Sequence, residues 1–138
     1  MTACLVTAAL LSSAGRAGET PSPTRQASQR PSIVAIRKPD NGFQLTVNGQ
    51  PYVINGAGGS AYMDKLIKAG GNSIRTWSSS RDVLDKARQH GLTVCMGLTM
   101  HKPRHGADYT DTTLLDEQRQ RIADQVRALK DHPALLMW

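Results

Sequence analysis

The sequence predicts an α/β domain, and three observations predict it. Apolar runs of strand length alternate with segments of helical periodicity from residue 52 to residue 138. Glycines or capping residues punctuate the boundaries between them. A β-hairpin pattern precedes the alternating part. Strands separated by helices pair in parallel, with right-handed crossovers. The chain has 138 residues, enough for one small domain but short of the roughly 250 of a complete (β/α)8 barrel. Periodicity leaves a barrel and an open doubly wound sheet as alternatives.

Each element follows from local chemistry. Cys4 to Leu11 is an apolar run, and Ser12, Ser13, Ala14 and then Gly15, Arg16, Ala17 follow it. This reads as a signal segment over residues 1–17, cleaved after Ala14 or Ala17, although no basic residue precedes the run. It predicts a secreted or periplasmic protein. Residues 18–32 are rich in Pro, Ser, Thr, Gln and Arg, a composition that buries too little apolar surface to offset ordering, and read as a disordered linker. The folded domain is expected over residues 33–138.

Val34 and Ile36 lead into a turn at Pro39 to Gly42, and Phe43, Leu45 and Val47 then alternate with polar residues. Asn48-Gly49 supplies the positive φ of a type I′ turn, with Pro51 to Ile54 as the return strand. Phe43 and Tyr52 are expected to pack within this hairpin. Tyr52 to Gly56 then runs into a glycine turn, Gly56 to Gly59. Ser60 is placed to cap a helix carrying Met63, Leu66 and Ile67, ended by Gly70-Gly71. Asn72 to Trp77 is a short strand. Ser79-x-x-Asp82 has the form of a capping box opening a helix that buries Val83, Leu84 and Ala87, and Gly91 stops it. Leu92 to Leu98 is the third strand, followed by a polar loop from Met100 to Asp111. Thr113-x-x-Asp116 is placed to cap a longer helix with Leu115, Ile122, Val126 and Leu129 on one side. Asp131-His132-Pro133 breaks it, and Ala134 to Trp138 is the last apolar run.

Composition narrows the function classes. Hydrophobic residues are 39% and charged residues 20%, which excludes a wholly disordered chain. No apolar run approaches the roughly 20 residues of a membrane-spanning helix. The formal charge is +6, but Lys and Arg are scattered among acidic residues, so no nucleic-acid partner is expected. Of the two cysteines, Cys4 lies in the signal segment, and Cys95 reads as a core thiol within an apolar strand.

In a parallel α/β sheet, functional residues gather at the carboxyl ends of the strands. That rule selects Asn55 to Gly59, Arg75 to Trp77, His101 to Tyr109, and Trp138. The glycine turn lacks the G-x-G-x-x-G spacing of a dinucleotide site, and no P-loop lysine follows. Arg75 offers a rigid fork for a carboxylate, and Trp77 a flat apolar face for stacking. His101, Arg104, His105 and Tyr109 share a loop of about a dozen residues, a length more often functional than connecting. His101 and His105 have a spacing that helical zinc ligands use, but Pro103 and Gly106 argue against a helix, so no metal is expected. No G-x-S-x-G elbow is present.

Three segments carry a family resemblance: FQLTVNGQPYVINGAGG, GGNSIRTW, and HGLTVCMGLTMHKPRHGADY with KDHPALLMW at the end. Together they resemble the N-terminal half of the TIM-barrel catalytic domain of family 2-type glycoside hydrolases, from about Phe43 to Trp138. The resemblance implies a retaining mechanism with a glutamate acid/base after the fourth strand and a glutamate nucleophile near the seventh. One carboxyl protonates the leaving oxygen while the other attacks. Both fall beyond Trp138, so the chain is expected to be an inactive fragment of a hydrolase acting on O-glycosyl bonds. It carries over supporting residues only: Arg75 near the nucleophile, His101, Arg104 and His105 in the loop that helps form the sugar subsite, Trp138 leading into the acid/base segment, and Asn55 at the first strand. Thr99 stands where an aromatic residue is common in that family. No cofactor is implied. The alternative is a non-catalytic half-barrel for carbohydrate binding or assembly, with Trp77, Tyr109 and Trp138 as its stacking residues. Either way, a part-barrel with open edges favours self-association.

Overall fold

The computed structural model describes residues 30–40 and 42–138. The signal segment and all but the end of the linker lie outside the described residues. Ser32, at that end, is half-buried, and its hydroxyl donates to the Pro133 carbonyl 2.8 Å away.

The order of elements is the predicted one. Strands β1 (Val34–Arg37), β2 (Gln44–Val47) and β3 (Gln50–Pro51) form an antiparallel sheet in that order. Asn48 and Gly49 take φ of 53° and 79°, as a two-residue hairpin requires. The return strand is shorter than expected, Gln50–Pro51, although the Tyr52 N–H still donates to the Leu45 carbonyl at 2.8 Å. Phe43 is exposed, with the Lys38 ammonium over its ring. Tyr52 packs beyond the hairpin. Its hydroxyl donates to the Asn72 carbonyl and lies 3.0 Å from Thr93 Oγ1.

A second sheet holds β4 (Gly56–Gly58), β5 (Ser73–Arg75), β6 (Thr93–Cys95) and β7 (Leu135–Met137), all parallel and in chain order. Helices α1 (Met63–Lys68), α2 (Arg81–Gln89) and α3 (Thr112–Leu129) connect them. The fold is therefore mixed α/β, a four-stranded parallel sheet with a three-stranded antiparallel one. The parallel register sets out two rows. Ala57, Ile74, Val94 and Leu135 share one face, and the last three join Met63, Leu84, Ala87, Leu92, Met96, Leu129 and Ala134 in the core. The alternate row, with Ser73 beside Thr93 and Arg75 beside Cys95, faces away from the helices; a register irregularity between Val94 and Cys95 sets Met137 opposite Cys95. Cys95 is accordingly half-buried on that outer row and not a core thiol; alternation gives the core position to Val94.

Several boundaries differ from the sequence reading. The glycine segment expected to turn is strand β4. Gly56 lies so close to β5 that a Cβ would sit 2.2 Å from the Ser73 carbonyl oxygen. Ser60 does not cap α1; Tyr62 holds that place in the left-handed region at φ 55°. Ser80, one residue after the expected cap, accepts from the Val83 N–H. Asp111 caps α3, accepting from the N–H groups of Thr113 and Leu114. Short oxygen-bearing residues compete for each cap, and a one- or two-residue error costs nothing in the periodic pattern. The helix ends were legible. After α1, Gly70 and Gly71 donate to Ile67 and Leu66, and after α2, Gly91 and Leu92 donate to Arg88 and Ala87, the paired bonds of a Schellman end.

Candidate functional site at the carboxyl ends of the parallel strands

The backbone at the carboxyl ends is tied strand to strand. Gly59 N–H donates to Arg75 O, Thr76 N–H to Cys95 O, and Met96 N–H to Met137 O, each between 2.8 and 3.0 Å. Thr76 is buried here. Its hydroxyl accepts from Gly97 N–H at 3.2 Å and donates to Ser78 O at 3.0 Å. Gly97 is required by close approach, because a Cβ would lie 2.6 Å from both Thr76 O and Trp77 C.

This frame presents two side chains to solvent. Trp77 is 62% exposed. Its indole crosses Gly58, where a Cβ would meet ring atom Cη2 at 2.9 Å, so the bare strand β4 is what lets the ring lie flat. The Arg75 guanidinium carbon is 5.2 Å from the Trp77 ring centroid, a cation–π distance contributing about 0.5–1 kcal/mol at an exposed site. Arg75 and Trp77 thus form one platform, positively charged and flat.

The loop after β6 forms a second cluster. Gln118 on α3 is buried and accepts from His101 N–H. The Tyr109 hydroxyl donates to His101 O. Arg121 donates to Thr99 O at 3.1 Å and lies 3.2 Å from His101 Nε2. Because Arg121 only donates, Nε2 is the acceptor in that pair, and the imidazole is turned toward α3. Arg104 and His105 occupy a 3₁₀ turn, Pro103–His105, closed by Gly106 at φ 87°, and both are exposed. Asp108 Oδ1 accepts from the Thr110 N–H and hydroxyl. Those two bonds, the backbone one first, lower its pKa. Trp138 follows β7 and is 40% exposed.

The structure joins Arg75 to Trp77 and His101 to Tyr109. It places Asn55 elsewhere, at the opposite end of the sheet. Since Gly56–Gly58 is the strand, Asn55 stands at its entrance, where its side-chain amide donates to Gly70 O and its N–H to Asn72 Oδ1. Asn55 therefore fixes the amino-terminal end and does not reach the platform. Among the described residues, no three metal-ligating side chains come together, and no helix is long and apolar enough to cross a membrane.

Sequence reasoning missed Thr76, Gln118 and Arg121, which build the site without entering it. One signal was available. Gln118 interrupts the apolar series Leu115, Ile122, Val126 and Leu129 at a position on the same side, and a polar residue there needs a partner.

No family model and no curated protein matches the chain by sequence. Solved structures do match by fold, among them a chitosanase and two β-glucuronidases. The exo-chitosanase CsxA of Amycolatopsis orientalis is 21% identical, with a TM-score of 0.54 over 75% of this chain. The β-glucuronidase of Bifidobacterium dentium is 17% identical, with a TM-score of 0.55 over 79%. The β-glucuronidase of Ruminococcus gnavus is 14% identical, with a TM-score of 0.53 over 75%. At these identities the likeness is one of fold. It falls on the group named by the sequence resemblance, for these neighbours are family 2 glycoside hydrolases. The chain spans 15% of the chitosanase and 19% and 20% of the two glucuronidases.

Proposed function

We propose that this chain forms the first part of a (β/α)8-barrel glycoside hydrolase that cleaves O-glycosyl bonds by the retaining route. The observation that carries this reading is the Arg75–Trp77 platform at the carboxyl end of a parallel sheet, in a fold shared with a chitosanase and two glucuronidases. An exposed indole stacks on the apolar face of a sugar ring, and the adjoining guanidinium binds a carboxylate or hydroxyl oxygens. The reaction also needs two carboxyl groups about 5–5.5 Å apart. No Asp or Glu stands at 58–60, 75–79, 96–100 or 137–138, so these strand ends do not supply the pair. The role here is positioning: Arg75 orients a carboxylate, Trp77 seats the sugar, and the loop carrying His101, Arg104, His105 and Tyr109 borders the subsite. The signal-like residues 1–17 support export of the whole protein.

Two measurements test this reading. The 138-residue chain is expected to show no turnover on aryl glycosides, and the gene extended past the Trp138 codon is expected to show it. An extended protein that folds but hydrolyses no glycoside would sink the proposal. A second reading, a non-catalytic carbohydrate-binding half-barrel, is favoured by the same lack of carboxylates. Calorimetry separates the two. Binding of oligosaccharides by the 138-residue chain, lost in Trp77→Ala, with no activity in the extended protein, selects the binding module.

A further inference from the structure

Among the described residues, two that are not glycine take positive φ, Asn48 and Tyr62. Asn48 has a local reason, since its hairpin turn favours asparagine. Tyr62, at φ 55° and ψ 36°, is a bulky aromatic in the left-handed region, a costly exception to backbone sterics. The backbone accounts for the conformation. The Tyr62 carbonyl accepts from the N–H groups of Lys65 and Leu66 at 3.0 and 3.1 Å, and Met63 beside it enters the core. Glycine or asparagine would serve that turn at less cost.

The fold does not account for the tyrosine itself. Its side chain makes no capping hydrogen bond to α1, and the residue is 71% exposed. Strain that persists without a local return clusters at positions held for a ligand. The place fits that explanation. Residues 59–62 connect β4 to α1 at the carboxyl end of the sheet. Gly58 lies under the Trp77 indole, and Gly59 N–H donates to Arg75 O. Three residues span at most about 11 Å, so Tyr62 stands on the same rim as the Arg75–Trp77 platform. It also repeats that platform's chemistry: the Lys65 ammonium lies 4.6 Å from the Tyr62 ring centroid, as the Arg75 guanidinium lies over Trp77.

We infer that Tyr62, steadied by Lys65, is a second sugar-stacking position, which takes a further unit of an oligosaccharide whose first unit sits on Trp77. The inference rests on the carbohydrate reading above. It adds that the ligand is a chain of two or more sugars and not a single one.

The test is binding to the 138-residue chain, so it is decided separately from turnover in the extended protein. Calorimetry uses cellulose, chitosan and polyglucuronate fragments of one, two and four units. Affinity is expected to rise about tenfold from one unit to two in at least one series. Tyr62→Asn keeps a residue that accepts the left-handed backbone and removes the ring. It is expected to erase that rise, while the urea midpoint stays level or climbs. Tyr62→Phe is expected to keep the rise, since stacking needs the ring and not the hydroxyl. If Tyr62→Asn loses helix by circular dichroism, Tyr62→Gly replaces it. Affinity independent of length, a rise that survives Tyr62→Asn, or no sugar bound at millimolar concentration would each overturn the inference. A lowered urea midpoint in Tyr62→Asn would do so too, by making the tyrosine structural. Turnover by the extended protein beside any of these results would leave the glycosidase reading standing.

Discussion

Gly97 and His132 show how single residues hold this structure. At Gly97 two backbones pass closely enough that any side chain collides with the Thr76 carbonyl. Gly97→Ala should therefore destabilise the chain by about 1–3 kcal/mol, the range for overpacking, read from urea unfolding. His132 is buried, accepts from Ala134 N–H through Nδ1, and meets Asp85 Oδ1 through Nε2 at 3.0 Å. Since Nδ1 accepts, Nε2 carries the proton that Asp85 receives. His132→Ala leaves the buried Ala134 N–H without its partner, a loss of about 1–3 kcal/mol. The hydrogen bond from His132 is the main cause that lowers the Asp85 pKa, as the Thr110 bonds lower that of Asp108. A carboxyl whose folded pKa lies below its unfolded value stabilises above the unfolded value and loses that contribution as pH falls through the folded one. Acid titration of stability should thus decline below about pH 4, and Asp85→Asn should flatten the decline. An unchanged acid limb in that variant would contradict the assignment.

At the scale of elements, α3 is the part whose details decide the site. Asp111 caps its first turn with two bonds, so Asp111→Ala should cost about 1 kcal/mol of stability. Gln118→Leu tests a different property. It completes the apolar stripe but removes the acceptor that holds His101, so global stability should hold or rise. Amide exchange across residues 99–109 should quicken, and proteolysis should move to that loop. An unaltered loop would mean that Tyr109 and Arg121 suffice to fix it. The stripes of α2 and α3 and their glycine ends were legible, because apolar spacing and positive φ are written in single residues. Caps were less so, because Ser79, Ser80, Asp111 and Thr113 offer the same chemistry within a residue or two. The glycine run misled for a physical reason. Glycine marks turns by its freedom, but Gly56 and Gly58 are needed for closeness to Ser73 and to Trp77, a demand that only the neighbouring strand reveals. Of the candidate site, Arg75 and Trp77 were legible from strand position alone. Asn55 was misplaced because the strand begins one residue after it.

For the molecule as a whole, the amino-terminal sheet and the parallel sheet meet through few bonds. Tyr52 supplies one, reaching Asn72 and Thr93, and Ser32 another at Pro133. Tyr52→Phe should lower stability by about 0.5–1.5 kcal/mol without changing the helical content, measured by thermal unfolding. The alternation of strands and helices was readable from residue 52 onward. The way the two sheets join was not, since both bonds link residues distant in sequence. The order of the parallel sheet has one more consequence. Because β4, β5, β6 and β7 lie side by side in the order they are made, each strand leaving the ribosome finds its partner already in place. Assembly can keep pace with synthesis from the amino end, and each helix covers its strand before the next arrives. The clasp from Ser32 to Pro133, 101 positions apart, forms only after residue 133 has been made.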